Sequence, residues 1–139
     1  MASSELRQYD FSKYKVLAID DNEDSLLLLV EIFKHCGADV IGVRDTFKAR
    51  EALQRVWPDI IVTDINLPRE TGLEFAEWVH AHHPDRARST PIIAITATSP
   101  IVRITRPPVI DALIHKPIVL EEVCQLVETL LRERRRGDR

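Results

Sequence analysis

Nothing in this sequence of 139 residues is suited to crossing a membrane. No apolar run approaches the roughly 18 residues that a transmembrane helix needs. Residues 1–7 are polar and lack the apolar core of a secretory signal peptide. The cysteines, Cys36 and Cys124, share no metal-ligand spacing and lie in helical apolar patterns, so we expect both to be small core residues. These absences lead us to expect a cytoplasmic protein.

The chain also lacks a basic excess and an internal repeat. Its formal net charge is −3, which does not favour a nucleic-acid-binding surface. We interpret the arginines of residues 132–136 as a solvated helix end. A chain of this length is expected to form one domain with a single core. We predict a polar, poorly ordered N-terminal arm (1–13), one domain (14–132) and a basic tail (133–139).

The most informative stretch is an apolar run, 60–63, that leads directly into Asp64. Pro58 precedes this run and Pro68 follows it. An uninterrupted apolar run is typical of a strand buried on both faces, as in parallel sheets covered by helices. Asp64 would then lie at the carboxyl end of a central strand, where open α/β sheets place their ligand sites.

Strands and helices alternate along the rest of the chain. The predicted strands cover 15–20, 40–43, 60–64, 91–96 and 112–116. The predicted helices follow the capping residues 22–25, cover 46–56, begin at 73 and cover 119–134, with a breaker region at 82–90. Such alternation indicates right-handed βαβ units and a doubly wound parallel sheet with an α/β fold.

Four predicted strands end in polar residues, namely Asp20-Asp21, Asp64, Thr96 and Lys116. The carboxyl ends of parallel strands lie on one edge, so these side chains should converge. Three carboxylates repel one another, and burial raises the pKa of at least one unless a cation neutralises them. Mg²⁺ prefers such oxygen ligands, and Lys116 and Thr96 suit a phosphoryl group. Asp64, at the centre, is then the expected nucleophile that forms an aspartyl phosphate.

The polar motifs at the strand ends, taken in their order along the chain, resemble those of the receiver domain of two-component response regulators. They are Asp20-Asp21 after strand one, Asp64 with 66–68 and 71–73 after strand three, Thr96-Ala97 after strand four and Lys116-Pro117 after strand five. The likeness covers residues 14–132. It implies a flavodoxin-like fold, with a parallel five-stranded sheet of order 2-1-3-4-5 and helices on both faces.

The resemblance also implies a metal site and a phosphoryl donor. Asp64 would accept a phosphoryl group from a histidine kinase or a histidine phosphotransfer protein. Asp21, Asp64 and the carbonyl group of Asn66 would bind Mg²⁺, and Asp20 would assist through a water molecule. The domain would touch neither membrane nor nucleic acid.

Two further roles follow from the same resemblance. Lys116 would pair with the phosphoryl oxygens, and Thr96 would move to hydrogen-bond one of them. The domain would not be an enzyme beyond slow self-dephosphorylation, and it would signal by contact with a downstream protein.

Two features depart from the family's pattern. The connection 98–111 holds three prolines, and Pro107-Pro108 forbid a continuing helix. We therefore predict that the family's fourth helix, between strands four and five, is lost or vestigial. Leu113 stands three residues before Lys116, where the family commonly has a Tyr or Phe that rotates inward on activation. We expect an intact acceptor site beside a rebuilt output surface.

Two other functions stay open. A degenerate receiver could act as a constitutive interaction module, although the complete set of acids, threonine and lysine argues against this. An aspartate-nucleophile phosphatase of the haloacid dehalogenase type uses a second Asp two residues after the nucleophile. This chain has Asn66 at that position, so the general acid is missing.

The first predicted helix is apolar on more than one side. We expect its core stripe to consist of Leu28, Leu29, Ile32, Phe33 and Cys36. The remaining apolar residues, Leu26, Leu27 and Val30, are predicted to form a docking surface for a partner helix. The histidines at 80, 82 and 83 are interpreted as polar residues of a helix end and not as metal ligands.

Overall fold

Strands and helices alternate along the part of the chain that the computed structural model describes, residues 9–97 and 108–137. The strands are β1 (Lys15–Ile19), β2 (Asp39–Val43), β3 (Ile60–Asp64), β4 (Ile92–Thr96) and β5 (Ala112–His115). The helices are α1 (Glu23–His35), α2 (Thr46–Arg55), α3 (Gly72–His82), α4 (Pro84–Arg88) and α5 (Leu120–Gly137). The short helix α4 lies in the predicted breaker region. It begins with Pro84, whose missing N–H costs nothing in a first turn.

The strands form one parallel sheet in the order β2-β1-β3-β4-β5, which confirms the predicted fold class. Every residue of β3 and β4 is buried, as expected for strands covered on both faces. Successive side chains point to opposite faces of the sheet. Val62 therefore belongs to the core that α1 and α5 cover, whereas Ile61 belongs to the core that α2 and α3 cover.

The helix ends follow the local signals in the sequence. Asn22 caps α1 by accepting a hydrogen bond from the backbone N–H of Ser25 at 2.8 Å. Gly37, with φ of 87°, adopts the left-handed conformation that ends this helix. Thr71 and Glu74 form a reciprocal capping box at the start of α3. These caps fix where each helix begins relative to the strand before it.

Residues 9–13 of the predicted N-terminal arm are part of the folded domain. Tyr9 and Phe11 are only 6% and 2% exposed. The ring of Phe11 lies 6.0 Å from that of Tyr9 and 6.4 Å from that of Phe33 in α1. Tyr9 Oη donates a 2.8 Å hydrogen bond to Glu121 in α5, and burial together with this acid raises the pKa of Tyr9 to about 12. The expected disorder is wrong here, because the two rings bridge α1 and α5.

The orientation of α1 also differs from the prediction. Leu28 is exposed, and the buried residues of this stretch are Leu29, Ile32, Phe33 and Cys36. Leu26 and Val30 are half-buried over β2, because Gly42 leaves room for them. A Cβ atom at Gly42 would lie 2.8 Å from Val30 Cγ2 and 3.2 Å from Leu26 Cδ1. The exposed apolar pair of α1 is therefore Leu27 and Leu28.

Two smaller predictions have different outcomes. Cys36 and Cys124 are buried core residues, as predicted, with their Sγ atoms 3.9 Å apart, and burial raises the pKa of both thiols. The arginines of α5 are not all solvated. Arg134 donates a hydrogen bond to Asp59 Oδ1 at 3.2 Å, and its guanidinium lies 5.9 Å from the ring centroid of Tyr14.

The predicted loss of the family's fourth helix concerns the connection between β4 and β5. Most of that connection, 98–107, lies outside the described residues. Among the helices that are described, none is both long enough and apolar enough to span a bilayer.

Candidate functional site

The polar strand ends converge at one edge of the sheet. Asp20 directly follows β1, Asp64 ends β3, Thr96 ends β4, and Lys116 directly follows β5. The strand registers place these positions near one level, since Ile19 pairs with Thr63 and Thr96 pairs with His115. Parallel pairing therefore brings together groups that are far apart along the chain.

The three carboxylates form one cluster. One carboxylate oxygen from each of Asp20, Asp21 and Asp64 can be chosen so that all three lie within 4.8 Å of one another. Asp20 and Asp64 are 0% and 4% exposed, whereas Asp21 is the most exposed of the three. Buried carboxylates this close together repel, because little water screens their charges.

Lys116 is a cation that faces the two buried acids of this cluster. Its Nζ atom lies 3.1 Å from Asp64 Oδ2 and 3.4 Å from Asp20 Oδ2. Burial lowers the pKa of Lys116, but the hydrogen bond to Asp64 and the charges of both acids outweigh it and raise that pKa. The lysine therefore carries a positive charge at neutral pH. In the part of the chain that the structure describes, it is the cation that forms ion pairs with the two buried acids.

Backbone N–H groups hold one oxygen of each buried acid. Asn66 N–H donates to Asp64 Oδ1 at 2.8 Å, and Asn22 N–H donates to Asp20 Oδ1 at 2.9 Å. Asp20 Oδ2 is buried and, among the described residues, it accepts no hydrogen bond, although Lys116 Nζ lies 3.4 Å away. Burial, with a contribution from the charge of Asp64, raises the pKa of Asp20. An oxygen-rich cluster with an unsatisfied buried oxygen fits a hard divalent cation such as Mg²⁺.

Thr96 and Asn66 contribute to the site in different ways. The Thr96 hydroxyl donates to the carbonyl oxygen of Ala97 at 3.0 Å, so the side chain must rotate before it can contact a group on Asp64. Asn66 is exposed, and its backbone N–H is the group that contacts Asp64. Leu113 is half-buried and packs against the core that α2 and α3 cover.

The structure also shows charged neighbours that the sequence pattern does not indicate. A groove of about 370 Å³ beside Asp21 is lined by Arg44, Asp45, Pro68 and Arg69. Farther along the β3–α3 loop, Glu70 pairs with Arg50 of α2. Charged surface residues at irregular spacing carry no signal in a single sequence, so only the fold reveals these neighbours.

Comparison with known proteins agrees with this geometry. The family model described as the response regulator receiver domain matches residues 16–128. Over 82 residues the chain is 33% identical to the polar-differentiation response regulator DivK of Brucella anthropi, covering 59% of this chain and 65% of that protein. Over 84 residues it is 33% identical to the sensor protein GacS of Pseudomonas syringae, covering 60% of this chain and 9% of that protein.

A third relative is an enzyme in which the matching part is one portion of a longer protein. The chain is 32% identical over 120 residues to a protein-glutamate methylesterase/protein-glutamine glutaminase of Bdellovibrio bacteriovorus, covering 85% of this chain. The chain spans only 33% of that protein. These three matches therefore leave between a third and nine-tenths of each relative without a counterpart.

Solved structures show the same fold. The receiver domain of a histidine kinase from Syntrophus aciditrophicus superposes with a TM-score of 0.76 at 24% identity, covering 86% of this chain and 91% of that one. A response regulator from Chloroflexus aurantiacus gives a TM-score of 0.77 at 21% identity, with 86% and 98% covered. With its sheet order, its converging strand ends and the match over residues 16–128, the chain belongs to the response regulator receiver domain family of two-component systems.

Proposed function

We propose that this domain is a phospho-acceptor switch in which Asp64 receives a phosphoryl group. The observation that carries the proposal is the unbalanced cluster at the sheet edge. Three acids lie together, and among the described residues Lys116 is the cation that pairs with the two buried ones, while one buried oxygen of Asp20 accepts no hydrogen bond there. Such an arrangement is costly unless it binds something, which makes it a candidate functional site.

Each residue has a separate role in this proposal. Asp21, Asp64 and the Asn66 carbonyl group hold Mg²⁺, and Asp20 assists through water. Bound Mg²⁺ supplies charge neutralisation for the acids and for the phosphoryl oxygens. Lys116, already 3.1 Å from Asp64, keeps its positive charge beside the acceptor and can pair with a phosphoryl oxygen once the group is transferred.

The transfer itself exchanges one bond for another. A carboxylate oxygen of Asp64 attacks the phosphorus atom, and the P–N bond to the donor histidine breaks. The electron pair of that bond stays on the imidazole nitrogen of the donor. The Thr96 hydroxyl then rotates from the Ala97 carbonyl group toward the new phosphoryl group.

The donor is a histidine kinase or a histidine phosphotransfer protein, and the output is contact with another protein in the cytoplasm. The names of two relatives, a sensor protein and a response regulator, support this assignment. The methylesterase relative is an enzyme, but the chemistry we propose for this domain is phosphoryl acceptance with slow self-dephosphorylation. A constitutive interaction module is the second candidate, and it would bind its partner without taking up phosphate.

The test is incubation with Mg²⁺ and acetyl phosphate, followed by intact mass measurement. We expect the wild-type protein to gain one phosphoryl group and Asp64→Asn to gain none. Asp45→Asn is the matched control, since an Asn side chain can still accept the capping hydrogen bond from Lys48 N–H. Labelling of Asp64→Asn at the wild-type rate would show that another residue is the acceptor.

The docking surface for the donor can be tested separately. Leu27 and Leu28 of α1 are 59% and 42% exposed, and this helix begins directly after the acids. We expect Leu27→Ala with Leu28→Ala to slow transfer from a cognate donor protein about tenfold or more and to leave acetyl phosphate labelling unchanged. Phe47→Ala, which removes an exposed apolar side chain from α2, is the control. Equal losses with both donors would place the effect in the acceptor site and not in docking.

A further inference from the structure

The loop between β3 and α3 contains a strained turn whose central residue is not glycine. Arg69 has a φ of 69°, a region that non-glycine residues seldom adopt. The N–H of Glu70 donates to the carbonyl oxygen of Pro68 at 2.8 Å, which closes a three-residue turn around Arg69. A three-residue turn with a positive central φ is the rarer and more strained form of the γ-turn. Such a turn persists only where its surroundings hold it.

The residue next to this turn is held by α2. Glu70 Oε2 lies 2.5 Å from Arg50 Nη2, and the two side chains are 27% and 30% exposed. Among the described residues, the second oxygen, Oε1, is buried and has no hydrogen-bond partner, and Arg50 is the cation that pairs with Glu70. Burial alone would raise the pKa of Glu70, but the hydrogen bonds from Arg50 and from Thr46 at the start of α2, together with the charge of Arg50, outweigh it and lower that pKa.

Arg50 is itself fixed by aromatic rings of α3. Its guanidinium carbon lies 4.7 Å from the ring centroid of Trp78 and 5.9 Å from that of Phe75. Phe75 is fully buried. A planar guanidinium stacked on an aromatic ring loses little freedom when it binds a carboxylate, which makes it a rigid support. Arg50 thereby joins α2, the loop and α3.

The same loop contacts the acceptor residue directly. Its first turn places the Asn66 N–H against Asp64 Oδ1 at 2.8 Å. Its end closes onto its start, because Gly72 N–H donates to the carbonyl oxygen of Ile65 at 2.9 Å. The fit there is tight, since a Cβ atom at Gly72 would lie 2.2 Å from the Asp64 carbonyl oxygen. A shift of the loop would therefore displace groups around Asp64.

We propose that Arg50 is a positioning residue for phosphorylation of Asp64, although no contact joins the two. By holding Glu70 it keeps the strained turn at Arg69 closed, and the closed loop sets the Asn66 backbone against the acceptor carboxylate. This role rests on the proposed phospho-acceptor function, and it adds a residue of α2 to the machinery of the site.

The test compares labelling rates at saturating Mg²⁺ with acetyl phosphate, below the unfolding temperature of every variant. We expect Arg50→Gln to react about tenfold more slowly, because small misplacements of reacting groups have large effects on rate. Glu70→Gln should be slowed similarly, and the double variant should be no slower than either single one, since all three lose the same pair. Lys48→Gln is the control, because it removes a surface ion pair from the same helix.

Two further variants separate positioning from general stability. Arg69→Gly in the Arg50→Gln background should recover part of the rate, since glycine adopts the positive φ without strain. Arg50→Lys, which keeps the charge but not the planar stacking, should lie between wild type and Arg50→Gln. Hydrogen exchange of the Gly72 amide should be faster in Arg50→Gln than in Lys48→Gln.

The outcomes distinguish this proposal from the one on which it rests. If the wild-type protein takes up no phosphoryl group, the phospho-acceptor function fails and the positioning role fails with it. If the wild-type protein is labelled and Arg50→Gln is labelled equally fast, only the positioning role is overturned. Strictly additive losses in the double variant would also overturn it, because Arg50 and Glu70 would then act independently.

Discussion

Two groups of charged side chains at and beside the loop 65–71 differ in how their charges are matched. In the first group, three carboxylates lie together, and within residues 9–97 and 108–137 Lys116 is the cation that pairs with the two buried ones, while Asp20 Oδ2 accepts no hydrogen bond there. In the second group, Glu70 of this loop pairs with Arg50, and the guanidinium of Arg50 lies over the Trp78 ring. The matched pair stabilises the protein as it stands. The cluster of three acids gains stability only when a cation binds. The excess of acids therefore indicates the functional site, and the paired charges of Glu70 and Arg50 indicate the structure that supports it.

The largest effect, on Mg²⁺ binding and phosphorylation, is expected when the cluster of three acids loses one carboxylate. Asp21→Ala should abolish Mg²⁺ binding and Mg²⁺-dependent labelling, because Asp21 is the accessible carboxylate of the cluster. Titration with Mg²⁺ and intact mass measurement would check this. The control is again Asp45→Asn, whose acid lines the same groove. Unchanged Mg²⁺ affinity in Asp21→Ala would show that the cluster of three acids is not the Mg²⁺ site.

In the pair of Arg50 and Glu70, replacing the acid with a neutral side chain should destabilise the fold. We expect Glu70→Gln to lower the free energy of unfolding at neutral pH by about 1–2 kcal/mol, because Arg50 loses its partner. Urea denaturation would measure this. Glu51→Gln, which breaks an exposed pair with Lys48, should have an effect near zero.

The pH dependence of this pair follows from the lowered pKa of Glu70. A group whose folded-state pKa is lowered contributes stability that is present above its unfolded-state pKa, here close to the ordinary value of 4.5. That contribution is lost as the pH falls through the lower folded-state pKa. The difference in unfolding free energy between wild type and Glu70→Gln should therefore shrink in acid, and a constant difference would contradict the ion pair.

In the cluster of three acids we expect a smaller change in the free energy of unfolding, and one of opposite sign. Without Mg²⁺, Asp20→Asn should raise the free energy of unfolding by about 1 kcal/mol, because it removes a buried charge that Asp64 repels. The amide oxygen can still accept the hydrogen bond from Asn22 N–H. Thermal denaturation would check this, with the exposed acid change Asp24→Asn as control. If Asp20→Asn destabilised the protein as much as Glu70→Gln does, the two groups of charges would not differ in the way proposed.

The sheet and the converging acids could be predicted because local patterns determine them. Uninterrupted apolar runs followed by Asp20, Asp64, Thr96 and Lys116 fix both the strands and the ends at which the polar groups lie. Parallel pairing then brings these ends together, whatever the loops do. The sequence order of the motifs was therefore sufficient for the candidate site.

The support of the site could not be predicted, because it depends on packing between elements. Arg50 and Glu70 are 20 residues apart on different elements, at a spacing with no meaning in one sequence. The exposed face of α1 was predicted incorrectly for a related reason. Gly42 on β2 admits Leu26 and Val30, which turns Leu28 toward solvent. A missing side chain on a neighbouring strand leaves no trace in the helix's own periodicity.

The buried rings of Tyr9 and Phe11 have a practical consequence for anyone who excises or fuses this domain. The family match begins at Val16, and a cut at that boundary would delete both rings and the hydrogen bond to Glu121. Expression boundaries chosen from the family alone would thus remove part of the core and leave Phe33 uncovered on that side. A linker or tag is better joined ahead of Tyr9, so that the excised unit keeps the segment that bridges α1 and α5.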